Sequence, residues 1–298
     1  MPERGYEKPS AAASGRKDTS FGDAISTIYE SHLVPMLFQP YAVHMAQRVA
    51  ALSPADVLEI AAGTGVVTRA MASALPNATS IIATDLNQSM LDRAAAKETM
   101  RTVEWRRADA SQLPFSDATF DVVVCQFGVM FFPDKARAFS EARRVLRPGG
   151  VLIFSVWDVI EENEFAHVVT LALASIFPDD PPRFMARTPH GYHDRGLINR
   201  DLAQGGFLAA PEMITINSLS RAPSASSAAV AFCQGTPLRH EIEARNASRL
   251  EEATDVCARA LEERFGRGPI EGKMRALIVT APYTPDHPSS RTPHDQAR

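Results

Sequence analysis

The sequence is poor in cysteine, in long apolar runs and in dense tracts of one charge. Its three cysteines, Cys125, Cys233 and Cys257, are widely spaced and odd in number, which argues against a disulfide framework and for a reducing compartment. No stretch approaches the roughly 18 apolar residues of a membrane span, and residues 1–20 lack the apolar core of a signal peptide. We therefore expect a cytoplasmic protein with no membrane partner.

The charge balance argues against a nucleic-acid partner. The net charge is −4, and no Lys/Arg tract is long enough to form the basic face that attracts a phosphate backbone. We interpret Arg143, Arg144 and Arg147 as a solvated basic helix end. With 298 residues and 45% hydrophobic content, the chain can bury a core as one large domain, with or without a small accessory subdomain.

The chain is organised around one stretch, Val57–Gly65, with the sequence VLEIAAGTG. A short apolar run that contains Glu59 passes into a turn of small residues, and a helical pattern follows. Gly63 and Gly65 can adopt positive φ and let backbone N–H groups approach a ligand, and a helix N-terminus favours a carboxylate or phosphate. A strand followed by a ligand-binding loop is predicted, although an ordinary strand–turn–helix with small residues for packing fits these residues equally well.

Further polar residues follow the next predicted strands. The strand SIIATD ends in Asp85, whose carboxylate can accept hydrogen bonds from both hydroxyls of a ribose. Asp109 follows the strand VEWRRA, and Gln126 lies at the exit of the fourth strand, in FDVVVCQFGVMFFPD. Because the carboxyl ends of parallel strands line one crevice, we expect these three side chains to converge with Gly63 on one ligand.

In this order, the motifs resemble those of the class I S-adenosylmethionine-dependent methyltransferases, in the small-molecule group that includes the ubiquinone/menaquinone C-methyltransferases (methyltransferase type 11). The resemblance covers Val57 to Trp157. LEIAAGTG resembles the glycine-rich first motif, ATDLNQSML the acidic ribose motif, ADASQLPF the adenine motif, and LRPGG the turn into strand five. It implies S-adenosylmethionine as cofactor and methyl transfer to a small molecule.

The resemblance also implies the fold. We expect an α/β, Rossmann-like, seven-stranded and mostly parallel sheet, with helices on both faces and an antiparallel last strand. N-terminal helices and a lid inserted between strands five and six would complete it. The expected divisions are a disordered tail at 1–20, a methyltransferase domain at 21–282 with its cofactor half at 53–158 and its lid at about 159–210, and a second disordered tail at 283–298.

A set of cofactor-binding residues follows from the resemblance. Gly63 and Gly65 would admit the methionine end and Asp85 would hold the ribose. Asp109 and the amide of Ala110 would hold adenine. Glu59 would help to order the loop, and Leu86 and Phe127 would pack against the cofactor. The full predicted set is Glu59, Ala61, Gly63, Thr64, Gly65, Asp85, Leu86, Asp109, Ala110, Gln126 and Phe127.

One position departs from the family pattern. Ala61 stands where the family usually has its first glycine. Alanine is the smallest replacement and fits if φ stays negative, so we expect a slightly tighter contact rather than a lost site. A nicotinamide-binding G-x-G-x-x-G motif is absent, because its third glycine would fall at Thr68.

The end of strand four excludes some methyl acceptors. It carries neither the D/N-P-P-Y/F motif of amino-methyltransferases that act on DNA or on protein glutamine, nor the Pro-Cys nucleophile of cytosine C5 enzymes. Cys125 is interpreted as a small buried hydrophobe. An aminopropyl transferase on the same fold would need an acidic polyamine pocket that this strand end does not offer. A non-catalytic nucleotide-binding or interaction module is the other alternative, and it would bind cofactor without turnover.

The segments on either side of the cofactor half are candidates for covering the acceptor. Two N-terminal helices, Ala24–Glu30 and Leu37–Leu52, are predicted with breaks or turns at Pro35 and Pro40. Their aromatic residues are either lid or core residues: Tyr29, Phe38 and Tyr41.

The insertion after strand five contains predicted helices near Phe165–Phe177 and Asp194–Gly205. An insertion this long usually has a function, and a substrate lid is the natural one. Its apolar residues indicate an apolar or aromatic small acceptor: Phe177, Phe184, Met185, Tyr192 and Phe207.

Three histidines of the insertion are the candidates for a general base. His193 or His190 could deprotonate a hydroxyl acceptor, with His167 as a third candidate, although loop histidines without a role are common. No third ligand accompanies His190 and His193, so no metal site is predicted. The acceptor, the methylated atom and the oligomeric state stay open, a homodimer among the options.

Overall fold

A seven-stranded sheet forms the centre of the structure, a computed structural model that describes residues 18–19 and 21–284. The strand order is β3-β2-β1-β4-β5-β7-β6. Strands β1 to β5 are parallel, whereas β7 runs antiparallel to both β5 and β6. The strands are β1 (Asp56–Glu59), β2 (Ser80–Asp85), β3 (Glu104–Arg107), β4 (Phe120–Gln126), β5 (Leu146–Trp157), β6 (Glu212–Ala222) and β7 (Ile270–Pro282). This topology confirms the predicted fold, including its antiparallel last strand.

Helices pack on both faces of this sheet because its strands are apolar on both sides. Successive residues of β1 point to opposite faces. Val57 belongs to one buried cluster with Met45 and Met71, while Leu58 belongs to a second with Phe139. The α-helices are α1 (Asp23–Ile28), α2 (Gln39–Ala51), α3 (Val66–Ala74), α4 (Gln88–Ala95), α5 (Lys135–Val145), α6 (Glu164–Ile176), α7 (Phe184–Arg187), α8 (Arg195–Gln204), α9 (Ala225–Gly235), α10 (Leu238–Asn246) and α11 (Leu250–Phe265).

The N-terminal segment is one continuous helical rod, so the predicted breaks at Pro35 and Pro40 are wrong. A π-helical segment, Tyr29–Phe38, joins α1 to α2 and contains Pro35. Pro40 lies at the start of α2, directly after the π-helical segment, and the rod continues through it although proline has no N–H to donate. Five residues of the π-helical segment are buried, and this burial favours an ordered helix over the turns: Leu33, Val34, Met36, Leu37 and Phe38.

The insertion between β5 and β6 contains the helices predicted for it, now α6 and α8. Asp194 caps α8 by accepting a hydrogen bond from the N–H of Leu197 at 2.7 Å. The apolar residues from which an acceptor preference was read are all buried in the main core: Phe177, Phe184, Met185, Tyr192 and Phe207. An argument for an apolar acceptor therefore has to rest on other residues.

One predicted boundary differs from the structure. LRPGG is not a separate turn, because β5 already begins at Leu146 and Gly149 takes a φ of +87° within the strand. Most of both predicted tails lies outside the described residues. Asp18, within the range predicted as the first tail, accepts hydrogen bonds from the hydroxyl of Thr188 at 2.9 Å and from the guanidinium of Arg187.

Candidate cofactor and acceptor site

The loop between β1 and α3 turns sharply through three residues of positive φ. These are Ala61 at +53°, Gly63 at +57° and Gly65 at +80°. The expectation that Ala61 keeps a negative φ is therefore wrong. The left-handed conformation costs an alanine about 1–2 kcal/mol, and the loop is held in place by the N–H of Ala62, which donates to the carbonyl of Thr84 at 2.9 Å.

The two loop glycines have different surroundings. A Cβ added to Gly65 would lie 2.7 Å from Cη2 of Trp105 and 3.2 Å from Cβ of Ala94, so this glycine makes room for the indole ring. A Cβ added to Gly63 would meet only the hydroxyl oxygen of Tyr29 within 4 Å, at 3.7 Å. Gly63 is thus the loop glycine that a ligand can approach, while Gly65 serves packing against β3, a contact that the sequence pattern did not indicate.

Glu59 lies beneath this loop and joins β1 to α3. Its side chain is 1% exposed, and its Oε2 accepts a hydrogen bond from the hydroxyl of Thr68 at 2.5 Å. Burial raises the pKa of Glu59 to about 8, against the lowering effect of that hydrogen bond. The carboxyl group is therefore mostly protonated at neutral pH and can hold the start of α3 without a buried charge.

Asp85 meets the loop at the end of β2. Its Oδ2 accepts the N–H of Gly63 at 2.8 Å, and its Oδ1 accepts the N–H of Asn87 at 2.8 Å. Burial raises its pKa above the ordinary range of an aspartate. Each carboxylate oxygen can accept a further hydrogen bond. Next to it, the apolar side chain of Leu86 is 44% exposed, so a hydrogen-bonding group and an open apolar surface lie side by side.

Asp109 and Ala110 continue this edge beyond β3. The N–H of Ala108 donates to the carbonyl of Asp85 at 3.0 Å, which brings the following residues beside the end of β2. The carboxylate of Asp109 is exposed, and its Oδ1 accepts the N–H of Ser111 at 2.8 Å. Ala110 is half-buried. The predicted nucleoside residues therefore line one continuous edge.

Two other predicted site residues carry buried polar atoms that have no partner in the described part of the chain. One is Oγ1 of Thr64 in the loop, and the other is Oε1 of Gln126 at the end of β4. The amide nitrogen of Gln126 donates to the carbonyl of Phe38 at 3.2 Å. Buried polar atoms are normally paired, since leaving one unpaired costs about 1–3 kcal/mol. Both atoms therefore fit a site that binds a polar ligand.

An aromatic wall, defined as Tyr29, Phe38, Tyr41, Phe127 and Trp157, adjoins this edge. The ring of Phe127 stacks on Trp157 with centroids 3.8 Å apart, and Tyr41 stands perpendicular to both. Phe38 lies 5.8 Å from Phe127 and is itself stacked by Tyr29 at 5.0 Å. The N-terminal aromatics thus pack as core residues and face the predicted cofactor residue Phe127. Trp157 was not predicted, although it ends the strand β5 at the same sheet edge.

The two candidate bases lie at different depths. His190 is 4% exposed and its ring centroid lies 6.0 Å from that of Trp157, next to the aromatic wall. Its Nδ1 lies 2.9 Å from the carbonyl of Asp158, and Nδ1 of His193 lies 2.8 Å from the carbonyl of His190. Because a carbonyl only accepts, Nδ1 of each ring carries the proton and Nε2 is left as an acceptor. Burial lowers the pKa of His190 to about 4.

A polar cavity of about 500 Å3 opens between the insertion that follows β5 and the residues after β4. Nζ of Lys135 donates to the carbonyl of Phe132 at 2.9 Å and lies 4.7 Å from the ring centroid of Tyr192. The Tyr192 hydroxyl donates to Asp201 at 2.9 Å. The pattern of the sequence did not indicate this cavity, since its lining comes from three separate segments.

Cysteine and metal chemistry gain no support from the described residues. Cys125 is fully buried, and burial raises the pKa of its thiol, which agrees with its interpretation as a small hydrophobe. His, Cys, Asp and Glu side chains in residues 18–19 and 21–284 form no group of three that could hold a metal ion. Within the same ranges, every helix falls short of the length and apolar character needed to cross a bilayer.

Comparison with known proteins identifies the family. The methyltransferase domain family matches residues 58–154. A demethylmenaquinone methyltransferase of Lactiplantibacillus plantarum is 43% identical over 105 residues, which are 34% of this chain and 44% of that protein. The ubiquinone/menaquinone biosynthesis C-methyltransferase UbiE of Ectopseudomonas mendocina is 42% identical over 177 residues, which are 55% of this chain and 68% of that protein. The match thus spans less than half the length of the first relative.

A solved structure agrees on the fold. Phosphoethanolamine N-methyltransferase 2 of Haemonchus contortus, in complex with phosphomonomethylethanolamine and S-adenosylhomocysteine, superposes with a TM-score of 0.55 at 16% identity, over 93% of this chain and 61% of that one. The chain belongs to the class I S-adenosylmethionine-dependent methyltransferases of the UbiE-like type. The family's cofactor is S-adenosylmethionine, and the unpaired polar atoms of Thr64 and Gln126 are consistent with it.

Proposed function

We propose that this protein transfers the methyl group of S-adenosylmethionine to a small molecule whose reacting part is a planar, largely apolar ring. The observation that carries the proposal is the continuity of two surfaces at one sheet edge. The Gly63–Asp85 contact, with its 2.8 Å hydrogen bond, offers a site for a nucleoside with an amino-acid end. The buried stacked pair Phe127–Trp157 lies farther along the same edge, just after β4 and at the end of β5.

Each predicted residue has a proposed role at the cofactor. Asp85 accepts hydrogen bonds from the ribose, with Leu86 covering the base on one side. Asp109 and the Ala110 amide recognise the edge of adenine. Glu59 acts from beneath the loop through Thr68, as a positioning residue, and its neutral carboxyl adds no charge near a cationic cofactor.

The remaining site residues surround the methionine end and the reacting centre. Gly65 acts through its packing against Trp105. The others contribute an open stretch of loop backbone, a buried hydroxyl, a buried amide oxygen and a ring face: Ala61, Gly63, Thr64, Gln126 and Phe127. When bound, S-adenosylmethionine supplies a methyl group on a positively charged sulfur. The aromatic wall holds a flat acceptor in place and excludes water. This positioning is the main contribution that an in-line displacement requires of the protein.

A base is needed only if the acceptor loses a proton. With a pKa of about 4, His190 is unprotonated at pH 7, so Nε2 can accept a hydrogen bond or orient an acidic acceptor group, but it is a weak proton acceptor. His193, on the outer side of the same turn, is the second candidate. Neither the aminopropyl transferase alternative nor the non-catalytic module gains support from the comparisons.

The acceptor class is supported by the relatives rather than by the aromatic wall, because the rings of that wall, apart from Tyr29, are as deeply buried as the apolar residues of the insertion. The first relative's name specifies demethylmenaquinone, and the ring of a quinone is planar and largely apolar. We propose that the methyl acceptor of this protein also contains such a ring. Experiments have to identify the particular molecule. A small-molecule substrate in the cytoplasm, without a nucleic-acid partner, is supported by the net charge of −4 and the three separated cysteines.

Calorimetric titration with S-adenosylmethionine, S-adenosylhomocysteine and NAD tests the cofactor assignment. We expect the first two to bind and NAD not to bind. Asp85→Ala should weaken both by about 1.5–3 kcal/mol for each charged hydrogen bond lost. Asp92→Ala, an exposed carboxylate on α4 whose Oδ1 accepts the amide of Gln88 at 2.8 Å, is the matched control. Binding of NAD, or unchanged affinity in Asp85→Ala, would contradict the proposal. Labelled methyl transfer to ring-containing acceptors then tests turnover.

A further inference from the structure

The carboxyl group of Glu30 lies beside the cofactor loop, and only one of its two oxygens has a hydrogen-bond partner among the described residues. Glu30 lies in the π-helical segment, its side chain is 13% exposed, and its Oε2 is buried without a hydrogen-bond partner in residues 18–19 and 21–284. The other oxygen, Oε1, accepts from Nη2 of Arg69 at 3.5 Å and from Nζ of Lys97. A buried carboxylate oxygen that lacks a donor is costly, so this oxygen fits a donor supplied by a ligand.

The neighbours of Glu30 place its carboxylate at the loop. Nη1 of Arg69 donates to the carbonyl of Thr64 at 2.6 Å, so one guanidinium joins the loop to Glu30. The preceding residue, Tyr29, brings its hydroxyl to 3.7 Å from the position of a Cβ on Gly63. Two consecutive residues of the N-terminal rod therefore face the loop, on the α3 side.

The unpaired atoms at this position have complementary polarity. Oε2 of Glu30 can only accept a hydrogen bond when the carboxylate is ionised, and the hydroxyl of Thr64 can donate one. Both atoms are buried and unpaired among the described residues. A ligand that carries an ammonium and a carboxylate on one carbon offers a charged donor to Glu30 and a charged acceptor to Thr64, and a nucleoside without an amino-acid end offers neither charge.

We infer that Glu30 binds the α-ammonium group of the amino-acid half of the cofactor, with Arg69 as the positioning residue that holds Glu30 against the loop. This inference rests on the proposed function, because it assumes S-adenosylmethionine as the ligand. It adds a specificity residue outside the cofactor half of the chain. It also gives the N-terminal rod a direct role in binding, beyond its role in covering the site.

The test compares ligands with and without the amino-acid half. S-adenosylhomocysteine and 5′-methylthioadenosine are titrated by calorimetry into the wild-type chain, into Glu30→Gln, and into the control Glu98→Gln, whose side chain is exposed just after α4. Loss of a charged hydrogen bond should weaken S-adenosylhomocysteine by about tenfold to hundredfold in Glu30→Gln. The affinity for 5′-methylthioadenosine should stay within about twofold, and Glu98→Gln should bind both like the wild type.

A second arm needs no correctly folded variant. A deaminated S-adenosylhomocysteine, with hydrogen in place of the α-amino group, should bind the wild type about tenfold to hundredfold more weakly than S-adenosylhomocysteine does. Equal weakening of both ligands in Glu30→Gln would show a structural role and overturn the inference, as would full affinity of the wild type for the deaminated ligand. If the wild type binds 5′-methylthioadenosine, these failures leave the proposed function standing. If it binds no adenosine ligand, both proposals fail.

Discussion

The methyl group of Ala61 lies against the α-carbon of Gly128. A Cβ added to Gly128 would lie 2.5 Å from Cβ of Ala61 and 2.7 Å from Sγ of Cys125. Ala61 stands at the first glycine position of the loop with a φ of +53°. The methyl group of Ala61 therefore fits because Gly128, on the segment after β4, has no side chain. The residue types at these two positions depend on each other.

This contact predicts a rescue between two substitutions. Gly128→Ala should destabilise the protein by about 1–3 kcal/mol, the usual cost of overpacking. Ala61→Gly removes the nearer of the two clashing atoms and the left-handed alanine, so the double variant should recover part of the loss. The rest of the destabilisation should persist in the double variant, because the methyl group added at Gly128 would still lie too close to Sγ of Cys125. Urea unfolding of the four proteins measures the coupling, and a double variant no more stable than Gly128→Ala would contradict it.

The same contact shows where prediction from sequence succeeds and where it fails. The strands and the loop follow from local patterns, because apolar runs such as those of β1 and β4 are interpretable without knowledge of their neighbours. The conformation of Ala61 depends on Gly128, and the role of Gly65 depends on Trp105. Such contacts between distant segments leave no periodic trace in the sequence. The burial of His190, which changes its protonation, is likewise a consequence of tertiary packing.

Glu59 should make the protein less stable as the pH rises. Its pKa is about 8 in the folded state against 4.5 ordinarily, so its contribution is fully present below pH 4.5 and is lost between pH 4.5 and 8. Glu59→Gln keeps a neutral acceptor for Thr68 and should abolish this loss, making the variant more stable than the wild type at pH 8.5 by at least about 1 kcal/mol. The check is urea unfolding without ligand from pH 5 to 8.5, with Glu98→Gln as control. Parallel curves for wild type and Glu59→Gln would rule the prediction out.

His190 should act in the opposite direction. Its pKa is about 4 in the folded state against 6.5 ordinarily, so the unfolded chain binds the proton more readily and stability falls as the pH drops from 6.5 towards 4. The loss from this group should approach about 3 kcal/mol, at 1.36 kcal/mol for each pKa unit. His190→Gln should flatten the profile in this window. His44→Gln, an exposed histidine in α2, should not change it. The test is the change in the free energy of unfolding between pH 4.5 and pH 7, measured for the wild type, His190→Gln and His44→Gln.

Gly65 should be less replaceable than a glycine of similar backbone geometry. Gly65 and Gly149 have φ values of +80° and +87°, so an alanine at either position incurs about 1–2 kcal/mol of left-handed strain. At Gly149 a Cβ would meet no atom within 4 Å, whereas at Gly65 it would lie 2.7 Å from Trp105.

Gly65→Ala should therefore destabilise the protein by more than Gly149→Ala, and the excess measures the packing of the indole ring against the loop. Combining Gly65→Ala with Trp105→Ala should remove that excess, because the added methyl group would then occupy space that the indole leaves. Denaturant unfolding of the single and double variants gives the comparison. Equal costs for the two glycine substitutions would mean that the ring moves aside freely, and that Trp105 does not fix the shape of the loop.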